Sequence, residues 1–268
     1  MHTLRSAAFR KKIIDYYRAH KRDLPWRSTR DPYAIMVSEV MLQQTQVDRV
    51  IPKYLAWMHR FPTPESLAHA SVGDVLKVWQ GLGYNRRALN LRRAAGIIVR
   101  EQNGEFPKDV RAIDALPGIG PYTAGAIGAF AFEVRSAFIE TNIRTVYLHF
   151  FFNGKTNVRD EELIARIEET LPQENIREWY NALMDYGAML KRTVGNPNIY
   201  SASYAKQSTF KGSRRELRGA ILRAAQSGSI SERDFADHAS QHSVTEVISQ
   251  LVSEGFLKRK GKTYTVAS

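Results

Sequence analysis

An all-α fold with a small mixed tail is predicted by three features of the sequence. Apolar side chains recur at helical spacing from residue 5 to residue 190, no alternating strand pattern of useful length interrupts them, and the tail closes on two short β-like runs. In order, residues 5–20 place Phe9, Ile13, Tyr16 and Tyr17 at helical spacing. Asp31 reads as the cap of a helix over 32–47, with Pro32 at its first position. The pattern then predicts helices over 50–59, 64–70, 72–80 and 86–102, separated by turns bearing Pro or Gly, and over 113–116, 122–131, 143–151, 161–171 and 175–190.

The tail predicts helices over 214–225 and, behind Ser231, over 232–240. A third begins at a capping box of Ser243 and Glu246, with Val244, Val247, Ile248, Leu251 and Val252 on one face. Gly255 and two short strands, 256–258 and 263–266, complete a winged-helix pattern. The expected organisation is a helical domain over 1–190, a basic linker over 191–213 and a winged-helix-like domain over 214–268. The outward residues of the third tail helix (Thr245, Ser249, Gln250, Ser253) are neutral, whereas groove-reading helices carry Arg, Lys or Asn. A phosphate-touching hairpin tip at 258–262 and a structural or partner-binding role stand equally for this domain.

Length and composition narrow the function. The 268 residues suit one or two domains, and 43% hydrophobic with 10% aromatic content supplies real cores. No uninterrupted apolar run is long enough to span a membrane, and the basic start is not a secretory signal, so the expected location is the cytoplasm. Cysteine is absent, which excludes disulfides, thiolate-held clusters and cysteine nucleophiles. His238 and His242 are four residues apart but have no carboxylate partner nearby in sequence, so no metal site is predicted. The net charge of +12 points to a polyanion. Residues 191–223 hold eight basic side chains, among them Lys191, Lys206 and Lys211, against the single acid Glu216. With Tyr200, Tyr204 and Phe210 interleaved, the strip suits a phosphate backbone, and a solvated linker is the equal alternative.

Three motifs carry chemistry. In LPGIGPYTAGAI, residues 116–127, a short helix runs into Gly118-Ile119-Gly120 and a second helix starts at Pro121. Glycines at the turn let amides face outward, and the helix N-terminus adds its positive end. This helix-hairpin-helix pattern is a nest for a phosphate. In SAFIETNIR an apolar run delivers Glu140 to the start of a helix, where it is either a cap or a carboxylate held to stabilise a developing cation. Glu39 lies in an otherwise apolar helical stretch. Burial there raises a carboxyl pKa and makes a general acid near neutral pH, whereas an exposed Glu would be ordinary surface. Trp26 and Trp79 read as core, and Asp185 as a carboxylate that is either structural or supports the site residues from behind.

LPWRSTRDPYAIMVSEVMLQQTQVDRVIPKY, VWQGLGYNRRALNL, LPGIGPYTAGAI and MDYGAMLK, in this order over residues 5–195, resemble the helix-hairpin-helix DNA glycosylases, and most of all the MutY-type adenine glycosylases. The resemblance implies a two-lobed helix-hairpin-helix glycosylase fold. It implies that Glu39 protonates adenine at N7, that Glu140 stabilises the oxocarbenium at C1′ and orients water, and that Asn142 positions the same site. Gln43 and Gln44 fall at the base-contacting turn. Tyr84, Asn85 and Arg86 fall at the loop that enters the duplex, and Gly118, Ile119, Gly120, Tyr122 and Thr123 at the phosphate-binding hairpin. Tyr122 stands where bifunctional members have a Lys nucleophile, and a phenol forms no Schiff base, so a monofunctional enzyme leaving an abasic site is implied. A monovalent cation at the hairpin stays open.

Three departures stand beside the match. Glu140 replaces the family's Asp. The positions of the four cluster cysteines hold Lys191, Asn198, Ser201 and Gln207, so no iron–sulfur cluster is expected and the basic strip takes that place. No nudix-like domain, the family's 8-oxoguanine reader, is recognised after residue 213. The reading is a glycosylase, acting as a monomer at the nucleoid on double-stranded DNA, that removes adenine opposite 8-oxoguanine or G. A thymine or uracil glycosylase acting opposite G is the alternative, and a non-catalytic DNA-binding module a third.

Overall fold

A computed structural model describes residues 6–205, 209–238 and 242–267. In chain order the helices are α1 (Ser6–His20), α2 (Pro32–Leu42), α3 (Val47–Arg60), α4 (Pro64–Ala68), α5 (Val72–Trp79), α6 (Arg86–Glu101), α7 (Val110–Asp114), α8 (Pro121–Phe132), α9 (Thr141–Phe151), α10 (Asp160–Thr170), α11 (Ile176–Thr193), α12 (Arg214–Ser227) and α13 (Val244–Ser253). Strands β1 (Leu257–Lys260) and β2 (Thr263–Val266) form an antiparallel hairpin. The chain divides into two compact units, each assembled from two stretches: Met1–Gln43 with Glu105–Lys206, and Gln44–Gly104 with Gln207–Ser268.

In the first unit α2 and α8 are the central pair. Every residue from Tyr33 to Met41 and from Thr123 to Ala131 is buried. A helix that is apolar almost all round has to be interior, and Glu39 is the charged exception within α2. Asp31 caps α2 by accepting the amides of Tyr33 and Ala34 at 3.0 and 3.3 Å. Glycines let α8 approach its neighbours, since a Cβ on Gly125 would lie 3.0 Å from the Phe138 ring. On the other side α1, α9 and α11 enclose Phe9, whose ring meets Tyr147, Phe151 and Trp179 edge-on at 4.8–5.7 Å.

In the second unit α3–α6 pack round Trp57 and Trp79, both fully buried. The tail joins this unit: Leu217, Ile221, Val247, Leu251 and Phe256 share one core with Val72, Leu76 and Leu89. Glu254 ties the tail further by its ion pair to Arg86, and within the tail it pairs with Arg218 of α12 at 2.6 Å.

Several predicted ends shift, with the helix expected over 113–116 found at Val110–Asp114 and the strand expected over 256–258 at Leu257–Lys260, and two elements differ further. The helix expected over 32–47 stops at Leu42, because Gln43 turns extended and Gln44 adopts a left-handed φ of +54°, and α3 starts afresh at Val47. The second tail helix is instead a 3₁₀ stretch, Glu232–His238, broken at Phe235, whose side chain is buried in the tail core. The remainder of that expected helix lies outside the described residues.

Candidate active site

The carboxylate pair forms within the first unit. Glu39 is 3% exposed, and Tyr122, second residue of α8, donates its hydroxyl to Glu39 Oε2 at 3.0 Å. Burial pushes the Glu39 carboxyl up to about 7. The charge of Glu140 acts in the same direction, and the Tyr122 bond and Arg27 oppose it. Near neutrality this group therefore exists in both protonation states, the condition for giving up a proton. The Tyr122 phenol is raised far above its usual value, by burial first and then by both carboxylates, so it stays neutral.

Glu140 is the cap of α9 and the second carboxylate of the pair. At the N-cap of α9 its carboxylate accepts the amides of Asn142 and Ile143 at 2.6 and 3.4 Å, and Asn142 Nδ2 at 3.2 Å. The preceding Phe138 anchors it, stacking on Tyr180 with ring centroids 4.0 Å apart, while Tyr180 donates to the Ser136 carbonyl at 2.6 Å. Burial raises the Glu140 carboxyl, and the Lys191 charge and the capping amides hold it down.

The MDYGAMLK segment supports this arrangement from α11. Asp185, whose side chain is 2% exposed, accepts Arg22 N and Nε at 3.0 and 2.6 Å and both terminal nitrogens of Arg27 at 2.9 and 2.8 Å, the structural one of the two roles expected. Gly187 permits close approach, since a Cβ there would sit 2.2 Å from the carbonyl oxygen of Asn142. One turn on, Lys191 Nζ donates to Asn142 Oδ1 at 2.9 Å. Sequence reasoning assigned Lys191 to a phosphate-facing strip. The structure turns it into the site instead, because α11 continues to Thr193 on the face that packs against α9.

At the hairpin, Gly118 has a φ of +78°, and no heavy atom lies within 4 Å of where a Cβ of Gly120 would be. Ile119 and Thr123, both expected among the DNA contacts, are buried. Ile119 is 7% exposed and its amide donates to the Leu116 carbonyl at 3.1 Å, while Thr123, facing α2, accepts Gln43 Nε2 at 3.2 Å. The two glycines are therefore the residues that leave the turn open.

Gln44, Tyr84, Asn85, Arg86 and Lys211 fall in the second unit. Gln44 and Lys211 are exposed. Tyr84, 40% exposed with a φ of +48°, accepts Arg215 Nη1 at 2.7 Å. Arg86, expected to meet DNA, is paired to Glu254. Its neighbour Arg87 is the residue sequence reasoning missed. It donates to Thr45 Oγ1 at 3.1 Å and to the Leu82 and Gly83 carbonyls at 3.3 and 3.2 Å, and lies over Trp79 and Tyr84, so it holds two loops of this unit. The doubled arginine was the available signal. Trp26 and Trp79 are core, as expected. Lys206 lies outside the described residues, as does Gln207.

The donor set at the cluster positions does not fit a cluster. Asn198, 4% exposed, gives Nδ2 to Thr145 Oγ1 and Asn196 Oδ1 at 3.0 and 2.8 Å, and Ser201 Oγ accepts Arg144 Nη1 at 2.8 Å beside the Arg144–Asp160 ion pair. Through Asn198 Nδ2 and Ser201 Oγ these neutral groups pin the 196–203 loop to α9, while Asn198 Oδ1 is buried without a hydrogen-bond partner among the described residues. His242 Nε2 lies 3.0 Å from the Gly212 carbonyl, and the His238 side chain is outside the described part. Among the described residues no three His, Asp or Glu side chains gather to hold a metal ion, and no helix is long and apolar enough to cross a membrane.

Comparison with known proteins agrees with this geometry. Over 184 residues the chain is 44% identical to the adenine DNA glycosylase of Mycobacterium tuberculosis, covering 66% of this chain and 59% of that protein. It is 37% identical to that of Buchnera aphidicola subsp. Baizongia pistaciae, covering 68% and 52%. The chain thus spans somewhat over half the length of these curated relatives. Among solved structures, a thermostable thymine-DNA glycosylase superposes with a TM-score of 0.61 at 27% identity, over 69% of this chain and 86% of that one. An endonuclease III trapped on DNA superposes at 0.56 with 18% identity, over 72% and 87%, a likeness of fold. Residues 37–173, just over half of the chain and the span that holds Glu39, the hairpin and Glu140, match the HhH-GPD superfamily base excision DNA repair protein family. The chain belongs to the HhH-GPD superfamily of base excision DNA repair proteins.

Proposed function

We propose that this protein is a monofunctional DNA glycosylase that hydrolyses the N-glycosidic bond of adenine mispaired with 8-oxoguanine or G and leaves an abasic site. The observation that carries the reading is the pair of inward carboxylates in one unit: Glu39 held near neutrality by burial, and Glu140 held at a helix N-terminus. With the base extruded from the stack, protonated Glu39 gives its proton to the purine N7, so the base departs neutral. Glu140, ionised, lies where positive charge develops at C1′ and steadies it until water adds. Asn142 fixes the Glu140 carboxylate through amide and side chain. Tyr122 holds Glu39 and offers no amine, so no Schiff base forms and the strand is not cut by a lyase step.

Duplex DNA is the partner this reading requires. Gly118 and Gly120 at the head of α8 suit a backbone phosphate, which needs no base-specific contact. The exposed Tyr200, Tyr204, Phe210 and Lys211 of the basic strip suit stacking and phosphate contact in place of a cluster loop. The relatives named adenine DNA glycosylase favour adenine. The 27% identity to a thymine-DNA glycosylase favours, as the second reading, a thymine or uracil opposite G.

Single-turnover reactions on duplexes carrying A·8-oxoG, A·G, T·G and U·G, with and without alkali, separate these readings. Alkali-dependent cleavage at A is expected. Cleavage at T or U alone would select the second reading, and no cleavage of any duplex despite intact DNA binding would remove the enzymatic one.

A further inference from the structure

Lys191 stands at the first of the four positions where cluster-bearing relatives place a cysteine, and its ammonium meets Asn142 instead. The Asn142 side chain is held from both sides: Oδ1 accepts from Lys191 Nζ at 2.9 Å, and Nδ2 donates to Glu140 Oε1 at 3.2 Å. The approach is built into α11, where Gly187 and Lys191, four residues apart, share the face toward Asn142. A Cβ at 187 would meet backbone at 2.2 Å, so no larger residue leaves α11 close enough for this contact.

We infer that Lys191 is a positioning residue for the reaction proposed above: through Asn142 it fixes the Glu140 carboxylate, and it brings a positive charge to that carboxylate in a buried site. The inference takes its catalytic meaning from the glycosylase reading. A neutral Glu140 stabilises no cation, and the surroundings push it towards neutrality. Burial favours the protonated acid, and Glu39 from α2, the other carboxylate of the site, is itself raised to about 7 by burial first and by the Glu140 charge after it. Neutral Tyr122 from α8 supplies no compensating cation. On α9 itself Arg144 is committed to Asp160 and Ser201. The opposing influences are the amides of Asn142 and Ile143 and the Lys191 charge from α11, whose own ammonium is lowered by burial and raised by Glu140. A side chain at a position that elsewhere serves a cluster thus serves the chemistry here.

The test is a titration that does not depend on turnover. The full chain carrying glutamate labelled with ¹³C at the carboxyl is titrated by NMR, with the Glu140 signal assigned by its loss in Glu140→Gln. Lys191→Met should raise the Glu140 midpoint by about one pH unit. Lys191→Gln, which keeps an amide donor but no charge, should raise it by a similar amount, and Lys191→Arg should restore it. In single-turnover reactions on an A·8-oxoG duplex at saturating protein, the acid limb of the rate profile should move up with that midpoint while duplex Kd is unchanged. An unmoved Glu140 midpoint in both Lys191→Met and Lys191→Gln overturns the inference, as does a loss confined to duplex affinity, which would make Lys191 a phosphate contact. A shifted midpoint in a protein that excises no base sinks the glycosylase reading alone. An unshifted midpoint in an active protein sinks the role of Lys191 alone.

Discussion

Replacing Gly187 by Ala probes the contact that brings α11 onto the start of α9. The added methyl would sit 2.2 Å from the Asn142 carbonyl oxygen, 2.7 Å from its carbonyl carbon and 2.8 Å from its Cβ. All three atoms belong to backbone or its first side-chain atom, so no rotamer change relieves the clash. Non-bonded carbon and oxygen do not approach within 3.0 Å, so the helices must part by at least about 0.8 Å. Forced overpacking of this kind costs about 1–3 kcal/mol, which for a protein of this size lowers Tm by about 2–12 °C. The start of α9 carries Glu140 and Asn142, and a misplacement of about 1 Å at reacting groups costs about 100-fold in rate. Gly73→Ala is the control, because a methyl there would make only ordinary contacts at 3.8 Å; it should be neutral or stabilise α5 by up to about 1 kcal/mol. Differential scanning fluorimetry and single-turnover excision read both effects. If Gly187→Ala melts and reacts like the parent protein, the packing of α11 on Asn142 is wrong, and the support it gives Glu140 goes with it.

Other expectations follow from the same geometry. Tyr122→Phe removes the hydrogen bond that lowers the Glu39 pKa, so the alkaline limb of the rate profile should move to higher pH by about one unit; an unmoved limb would dissociate Tyr122 from the acid. Asp185→Asn leaves Arg27, with a side chain 11% exposed, without its counter-charge and should cost about 3–5 kcal/mol in urea unfolding. Burial pushes the Asp185 carboxyl up, but Arg27 and Arg22 outweigh it and hold it below its usual range. The stabilisation is therefore present above the unfolded value near 3.8 and is lost as pH falls through the lower folded value. The gap between parent and Asp185→Asn should close in strong acid, and a gap that stays constant would place the loss elsewhere.

The helical frame was legible because burial writes a period into sequence. The stripe of Phe9 and Ile13, the cap at Asp31 and the glycine turn before Pro121 each fix an element locally, and each is found. Glu39 was legible for the related reason that a charge in an apolar helix has to be explained. The break after Leu42 was not legible, since nothing in Gln43-Gln44-Thr45 forces a left-handed residue; the turn is set by tertiary packing. Partner choice was equally hidden. Arg86 and Arg87 are adjacent and chemically identical, but the helical rotation of about 100° between them sends one to Glu254 and the other to the loops at Thr45 and Gly83. Lys191 sits in a run of positive charge that composition assigns to solvent. Its place against Asn142 depends on Gly187, a residue whose meaning appears only when two helices are brought together. The tail showed its first and third helices and its hairpin in the sequence, but not that the stretch between the helices would be a broken 3₁₀ turn, nor that its core would be shared with α5 and α6.

The central claim is that Glu39 is the proton donor for base departure. Its direct test is the pH dependence of single-turnover adenine excision from an A·8-oxoG duplex, run with the parent protein and with Glu39→Gln. Because the acid must be protonated and burial sets its pKa at about 7, the parent rate should fall tenfold per pH unit on the alkaline side of that value. Glu39→Gln, which keeps the shape and can still accept the Tyr122 hydroxyl, should bind the duplex and excise nothing above background at any pH. A Glu39→Gln protein that excises adenine at the parent rate would contradict the account.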